Sequence, residues 1–381
     1  MERFGKDSAL IIRKEDPLNA GPPPELARGS YITPTDLFFV RNHGRVPTID
    51  PDRYRLSVTG LVHKSLSLSL AEIREEFPKT TVVAALQCAG NRRQELMRVA
   101  EISGEVPWDT EAVSNGVWGG VSLRLILRIA GIRHEAGHVA FGGLDEVSAG
   151  GNVGGFGGSV PTEKAVSPEV ILAYEMNGQP LPAVHGYPLR VVVPRYIGAR
   201  SVKWLGSITA QPFPSDNYFQ TRAYKLYSPW VSAQEAHLHA GWTLAEQKTS
   251  SCICSPRSGE RLAGRSMVVQ GYATAGGGRE IERVELTDDE GRTWTTASLV
   301  NYRRPWGWCF WEARLNLRYG TNQIAVRAWD SAGETQPRDA GDVWNFKGYM
   351  NNSWHRIVVQ AQATDRPRVP IARVDSDAAR L

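Results

Sequence analysis

Val-Val-Ala-Ala-Leu-Gln-Cys-Ala-Gly-Asn-Arg-Arg-Gln-Glu, Val82 to Glu95, is the stretch on which the rest of the chain turns. The apolar, β-branched run Thr81 to Leu86 predicts a strand. It delivers a lone cysteine, Cys88, onto a Gly90-Asn91 turn, and Arg92 and Arg93 follow at once. A thiolate at a strand exit beside fixed positive charge suits a metal ligand or a nucleophile. Two guanidiniums alongside would also hold a small oxyanion. For an arbitrary cysteine, however, a buried core position followed by a solvated arginine pair is the commoner arrangement.

Working outward, the chain has 381 residues, enough for two or three domains, of which 41% are hydrophobic and 22% charged. That balance predicts ample core and no global disorder. Lys and Arg total 44 against 40 Asp and Glu, and the net charge of +4 comes with no basic stripe interleaved with aromatics. Nucleic-acid binding is therefore not expected. No stretch approaches eighteen apolar residues, so no membrane span is expected, and the polar N-terminus lacks a secretory core. Four cysteines in so long a chain make no disulfide framework and fit a reducing compartment. Cys252 and Cys254, with His237 and His239 nearby in sequence, form a poor zinc set, and strand packing explains them better. The last residues, Ala379-Arg380-Leu381, resemble a relaxed peroxisomal tripeptide. The expected location is cytoplasmic or peroxisomal.

Local signals divide the chain. Asp16 to Arg28 is rich in Pro, Gly and Asn and reads as an extended arm over a surface, so residues 1–28 form an N-terminal arm. Tyr54 to Leu61 predicts a strand. Ser69 predicts a capped helix to Phe77, with Glu72 as its capping-box partner. Arg93 to Arg98 opens another helical turn. Val121 to Ile129 is amphipathic, with Leu123, Ile126, Leu127 and Ala130 on one face and Gly131 as the stop. The Gly-rich stretch Ala140 to Gly158 lacks the dinucleotide fingerprint and reads as a loop with turns. Asn177-Gly178 is a hairpin signal between apolar runs Val170 to Glu175 and Pro188 to Pro194. Residues 29–246 thus form a mixed α/β domain. Beyond it, short alternating runs recur at Arg265–Tyr272, Ile281–Thr287, Thr293–Leu299, Trp306–Leu315 and Asn322–Asp330. They predict an immunoglobulin-like sandwich over residues 247–360, with a polar tail over 361–381. The fold class expected is α+β.

Phe38-Phe39-Val40-Arg41-Asn42-His43-Gly44 puts several donors at a strand end, which alone fits a surface loop as well as an anion site. Together with Leu-Gln-Cys-Ala-Gly-Asn-Arg-Arg it resembles the sulfite oxidase family, from about Ser30 to Trp354. The resemblance implies molybdenum bound by Cys88 and by the dithiolene of molybdopterin. It places Phe39, Val40, Arg41, Asn42, His43, Asp145, His185, Arg190, Ser201, Val202 and Lys203 around that cofactor. On residue type alone His185 would be a structural histidine and Lys203 a surface lysine. By the same resemblance Arg41 and Arg93 hold the substrate oxyanion, Trp108 lines the pocket and Tyr224 faces the reacting group.

Trp344-Asn-Phe-Lys347-Gly departs from the family, which carries arginine where Lys347 stands. Lysine keeps the charge and loses the bidentate fork, so a looser anion site is expected. Trp308-Cys-Phe-Trp and Gly348-Tyr-Met-Asn-Asn look closer to the molybdenum domain of assimilatory nitrate reductase, which keeps nitrate reduction as the alternative. Tyr224 and cationic Lys347 favour doubly charged sulfite. No His-Pro-Gly-Gly, Cys-x-x-Cys-His or iron–sulfur spacing occurs, so no haem is expected and the electrons go to oxygen or a separate carrier. A homodimer built on the sandwich is implied by resemblance only. A cysteine-nucleophile enzyme and an adhesive scaffold are the readings outside this class.

Overall fold

The computed structural model of the chain describes residues 4–300 and 305–363. Sheets dominate, and the longest helix, Leu123–Ala130, has eight residues. No helix among the described residues is long and apolar enough to cross a membrane.

The cysteine-bearing strand, Lys79–Gln87, pairs antiparallel with Val113–Ser122 in unbroken register from Lys79↔Val121 to Gln87↔Val113. Val113–Ser122 continues to Ile171–Met176, which pairs with both Gln179–Pro180 and Arg190–Val192. Asn177 and Gly178 both have positive φ (52° and 77°), the backbone a two-residue hairpin demands. A second sheet runs in the order Gly157–Pro161, His138–Gly143, Leu205–Gln211, Arg55–Gly60, Leu66–Ser69, with one parallel pairing, Leu205–Gln211 to Arg55–Gly60.

Helices fill the edges as their caps predict. Ser69 and Glu72 make a reciprocal capping box for Leu70–Glu75. Leu123–Ala130 ends at Gly131, whose φ of 67° closes the last turn. Its face of Leu123, Ile126 and Leu127 is fully buried, worth roughly 1.5–3 kcal/mol for each side chain.

The structure differs from the expected elements at several places. The Gly-rich stretch is not a loop: His138–Gly143 is the second strand of the five-stranded sheet, and Gly157–Pro161 is its edge. Glycine is used there because the sheets close tightly. A Cβ on Gly142 would lie 2.5 Å from Ser207 Oγ, and one on Gly157 2.8 Å from the Phe141 carbonyl oxygen. Nor is the N-terminal segment only an arm laid on the surface. Asn19–Gly21 is the central strand of a small sheet between Ile11–Lys14 and Val40–Arg41, and Asn19 and Ala20 are fully buried. Pro24–Arg28 is a helical turn.

The C-terminal half is two facing sheets. One holds Ser250–Ser255, Ser266–Thr274, Cys309–Asn316 and Ser298–Val300. The other holds Arg261–Ala263, His355–Gln362, Gly320–Asp330, Ile281–Thr287 and Thr295–Thr296. Val269, Trp311 and Leu315 of the first meet Val284, Ile324, Val326 and Ile357 of the second in one core. The single strand expected over Thr293–Leu299 is split: its start pairs with Ile281–Thr287 and its end with Cys309–Asn316. The last described strand also runs to Gln362, past the expected domain end. Most of the tail, with Ala379-Arg380-Leu381, lies outside the described residues. Cys252 and Cys254 are buried on one face of their strand beside Tyr272 and Trp308, and no group of metal-ligating residues occurs among the described residues.

Candidate active site

The Lys79–Gln87 ladder runs one bond further, from the Cys88 N–H to the Ala112 carbonyl (2.9 Å), which fixes the cysteine at the strand exit. The chain then turns sharply. Asn91 N–H donates to the Cys88 carbonyl (3.0 Å), Gly90 N–H points at Sγ (3.4 Å), and Arg92 takes positive φ. Gly198 comes close from another loop, where a Cβ would sit 3.1 Å from the Gln87 carbonyl oxygen.

On one side of Cys88 opens a cleft. Phe39, Arg41, Asn42, His43, Asp145, His185, Arg190, Ser201, Val202, Lys203 and Tyr224 all border it, from segments as far apart as residues 39 and 224. Val40 does not border it; its side chain packs with Leu10, Leu18 and Val184, because neighbours along a strand point to opposite faces. Asn19, which sequence reading missed, organises the Arg41-Asn42 corner. Its side-chain oxygen accepts from the Asn42 N–H and from Arg41 Nη1, both at 3.1 Å. No motif signals Asn19; only the sheet that the N-terminal segment joins brings it there.

The cleft is rich in cations and donors. Arg190 is braced by the His185 and Ser201 carbonyls, each at 2.9 Å, and lies over the Trp118 ring. Lys203 reaches the Arg41 and Val184 carbonyls and the Asn42 side-chain oxygen. Burial pulls Arg190 down to about 9. Burial, then the charge of Arg190, pulls Lys203 well below the usual lysine range. His185 is likewise held well below the usual imidazole value by burial and by Lys6, Lys203 and Arg190. Burial also opposes the charge on Arg41, yet Tyr224, Cys88, Tyr349 and Glu105 together outweigh burial and raise its pKa. Buried cations crowded in this way are costly without an anion.

Tyr224 faces His43, its hydroxyl 2.9 Å from Nε2. His43 packs against Phe156 and Phe219, each ring centroid 4.7 Å away, and those two rings lie 4.4 Å from each other. Burial and then Arg41 hold His43 neutral, and burial raises Tyr224, so the phenol donates and the imidazole accepts.

The other side of Cys88 is differently built. Arg93 does not border the cleft. Its Nε donates to the Lys347 and Gly348 carbonyls (3.2 and 3.1 Å), its Nη1 to the Val106 carbonyl (2.7 Å), and Nη2 pairs with Glu105 at 3.4 Å. The Tyr349 ring covers the guanidinium at 4.9 Å. Glycines make this possible: a Cβ on Gly90 or Gly348 would fall 2.6 Å from Arg93. Lys347 contributes its carbonyl here, while its ammonium lies over the Phe346 ring at 5.7 Å. Trp108 is fully buried next to the Cys88 cluster, and its indole N–H has no partner.

Arg92, for which the sequence offered no role, is a strut. It is fully buried, makes two 2.7 Å bonds to Glu95, and donates to the Ser353 carbonyl (2.9 Å) in the C-terminal half. Tyr272 joins the same seam, its hydroxyl reaching the Thr110 carbonyl and the Asn91 side chain. The sandwich thus buttresses the cysteine loop.

Known proteins resemble the chain over most of its length. Residues 43–219 match the model of the oxidoreductase molybdopterin binding domain, and residues 242–362 that of the Mo-co oxidoreductase dimerisation domain. Sulfite oxidase of Gallus gallus is 43% identical over 357 residues, covering 91% of this chain and 77% of that one. The chain belongs to the sulfite oxidase family. Sulfite oxidase of Arabidopsis thaliana is 38% identical and matches 92% of this chain and 94% of its own length. The crystal structure of the sulfane dehydrogenase SoxCD from Paracoccus pantotrophus superposes with a TM-score of 0.77 at 26% identity, over 94% of this chain and 89% of that one. The fold is that of this family, dominated by sheet.

A molybdenum cofactor of this family fits the cleft on the structure's own evidence. The Asn42 amide nitrogen is buried there without a partner, Arg41, Arg190 and Lys203 border the space with Asp145 among them, and one cysteine sulfur faces it. A single protein sulfur suits a metal whose remaining ligands come from its cofactor.

Proposed function

We propose that the chain oxidises sulfite to sulfate at a molybdopterin-held molybdenum bound by Cys88. The observation that carries this reading is the single buried thiol at the wall of a cationic cleft, flanked on its far side by a second, separately held arginine. When bound, the metal centre supplies the two-electron oxo transfer.

The protein's part is binding and electrostatics. His185, Arg190, Ser201 and Lys203 hold the cofactor's phosphate end, and Phe39 to His43 with Asp145 line the pterin. Arg41 and Arg93 draw the sulfite dianion toward Cys88, and Lys347 adds a third positive charge without a fork. The partnerless Trp108 N–H supplies a donor from a dry wall. Tyr224, kept protonated, donates to His43 until substrate offers it a better acceptor. The C-terminal sandwich is of immunoglobulin type and joins two copies in a homodimer. Electrons leave to oxygen or to a separate carrier, without a haem in this chain, in the cytoplasm or peroxisome.

Purified protein should carry about one molybdenum and one pterin per chain, oxidise sulfite, and reduce nitrate far more slowly. Cys88→Ser should retain the fold and lose the activity. A molybdenum-free preparation with full sulfite turnover, or nitrate reduction faster than sulfite oxidation, would overturn the assignment.

A further inference from the structure

Lys6 lies outside every motif and deep inside the protein, only 6% exposed. Its Nζ sits 2.5 Å from the Thr35 carbonyl, 2.8 Å from the Phe38 carbonyl and 3.1 Å from His185 Nε2. Two of these partners can only accept. The third, an imidazole nitrogen, can accept or donate.

That geometry links two protonation choices. A charged ammonium has three protons, one for each partner, and leaves His185 Nε2 as an acceptor with the ring proton on Nδ1. A neutral amine has two protons for the two carbonyls and a lone pair for an Nε2–H. The charge on Lys6 therefore biases the tautomer of a residue that borders the cofactor cleft, in competition with the Thr35 carbonyl, which also draws a His185 N–H.

The surroundings bias the choice. Lys6, His185, Lys203 and Arg190 crowd one end of the cleft, with Asp36 and Asp145 as the carboxylates acting on them. Burial draws Lys6 down to about 7 against the opposing pull of Asp36. A phosphate dianion brought to this end would restore the charge on Lys6.

We propose that Lys6 is a positioning residue of the cofactor-phosphate site: it takes up a proton as the phosphate arrives and so sets His185 with its ring proton on Nδ1. The proton comes from solvent, and no bond other than N–H is made or broken. The proposal rests on the cofactor placement above. The sign follows from linkage. Where Lys6 is already charged, below about pH 7, binding needs no proton; above it, each binding event takes one up, so affinity falls as pH rises.

The test uses the full chain freed of cofactor, with inorganic phosphate as the probe. Calorimetry at pH 8 in two buffers of different ionisation enthalpy counts the protons taken up. Wild type should take up about one proton more per phosphate than Lys6→Met, and Lys6→Met should bind phosphate roughly tenfold or more weakly, because the charge that answers the phosphate through His185 is gone. Lys6→Arg, a permanent cation, should bind at least as well as wild type with the same reduced proton count. ¹⁵N-histidine spectra of wild type should show His185 passing from the Nδ1–H to the Nε2–H tautomer as pH rises through about 7. Equal proton counts in wild type and Lys6→Met, no phosphate binding by wild type, or a His185 tautomer indifferent to pH would each overturn the proposal. If Lys6→Met fails to fold, Lys6→Arg and the wild-type spectra decide. Molybdenum and pterin analysis of the purified wild type judges the cofactor reading separately, since the phosphate and tautomer measurements need no loaded enzyme.

Discussion

The two sides of Cys88 handle positive charge in opposite ways. At the cleft, Arg190 and Lys203 are packed together with Lys6 behind a neutral His185, and the Asn42 amide nitrogen is left without a partner. Behind the cysteine loop, Arg93 donates to three carbonyls and pairs with the Glu105 carboxylate under the Tyr349 ring, although its Nη2 makes no hydrogen bond. An anion that stays for the life of the protein can meet cations whose hydrogen bonds go to neutral carbonyls. One that must arrive and leave as product is better served by an arginine whose charge is already partly answered, because over-tight ground-state binding adds nothing to turnover. The difference separates a site built to retain from a site built to exchange.

The wall between the two sides should fail most completely. Cys88→Ser removes the soft ligand they share, and sulfite oxidation should fall to background while circular dichroism and the melting profile stay close to wild type. Arg92→Ala should come next, leaving Glu95 buried without its partner. Denaturant unfolding should show a loss of about 3–5 kcal/mol. The same pair has a pH signature. Burial opposes the charge on Glu95, but Arg92 outweighs it and holds the carboxyl below the 4.5 of a free glutamate. Its stabilising contribution is complete above that value and should disappear as pH falls through the depressed one, a loss missing from Arg92→Ala.

Arg93→Lys tests the exchanging side. It should lower kcat/KM for sulfite roughly tenfold to a hundredfold, one charged hydrogen bond's worth, with molybdenum content unchanged. A drop in cofactor content instead would mean that the two sides are not separate. Glu105→Gln should act in the opposite direction, lowering KM for sulfite by a few-fold because the carboxylate competes with substrate for Arg93. The smallest effect is expected from Lys347→Arg, roughly two- to tenfold tighter sulfite binding through one regained hydrogen bond. No change would place Lys347 over Phe346 in the working enzyme as well.

Local signals were most legible where one chemistry dominates. The Ser69 capping box, the Leu123–Ala130 face with its Gly131 stop and the Asn177-Gly178 turn all act over a few residues, and each formed as its residues dictate. Glycine misled where its purpose was long-range. In His138–Gly143 and Gly157–Pro161 it serves close packing between strands, which in sequence looks the same as loop flexibility. The N-terminal segment misled for the same reason: Asn19 and Lys6 draw their importance from residues 41, 42 and 185, which no local pattern connects to them.

By itself, the sequence determined the strand that presents Cys88, the turn that follows it and the two-part organisation of the chain. These depend on side-chain type, alternation and backbone preference over short distances. The tertiary structure alone decided which cations share a cavity and which are already answered. Arg92 and Arg93 are adjacent in sequence, yet one is a strut to Ser353 and the other a guanidinium held beneath Gly90. The left-handed turn at Arg92 sends the two side chains apart, and only the long-range carbonyls and carboxylates they meet give each its task.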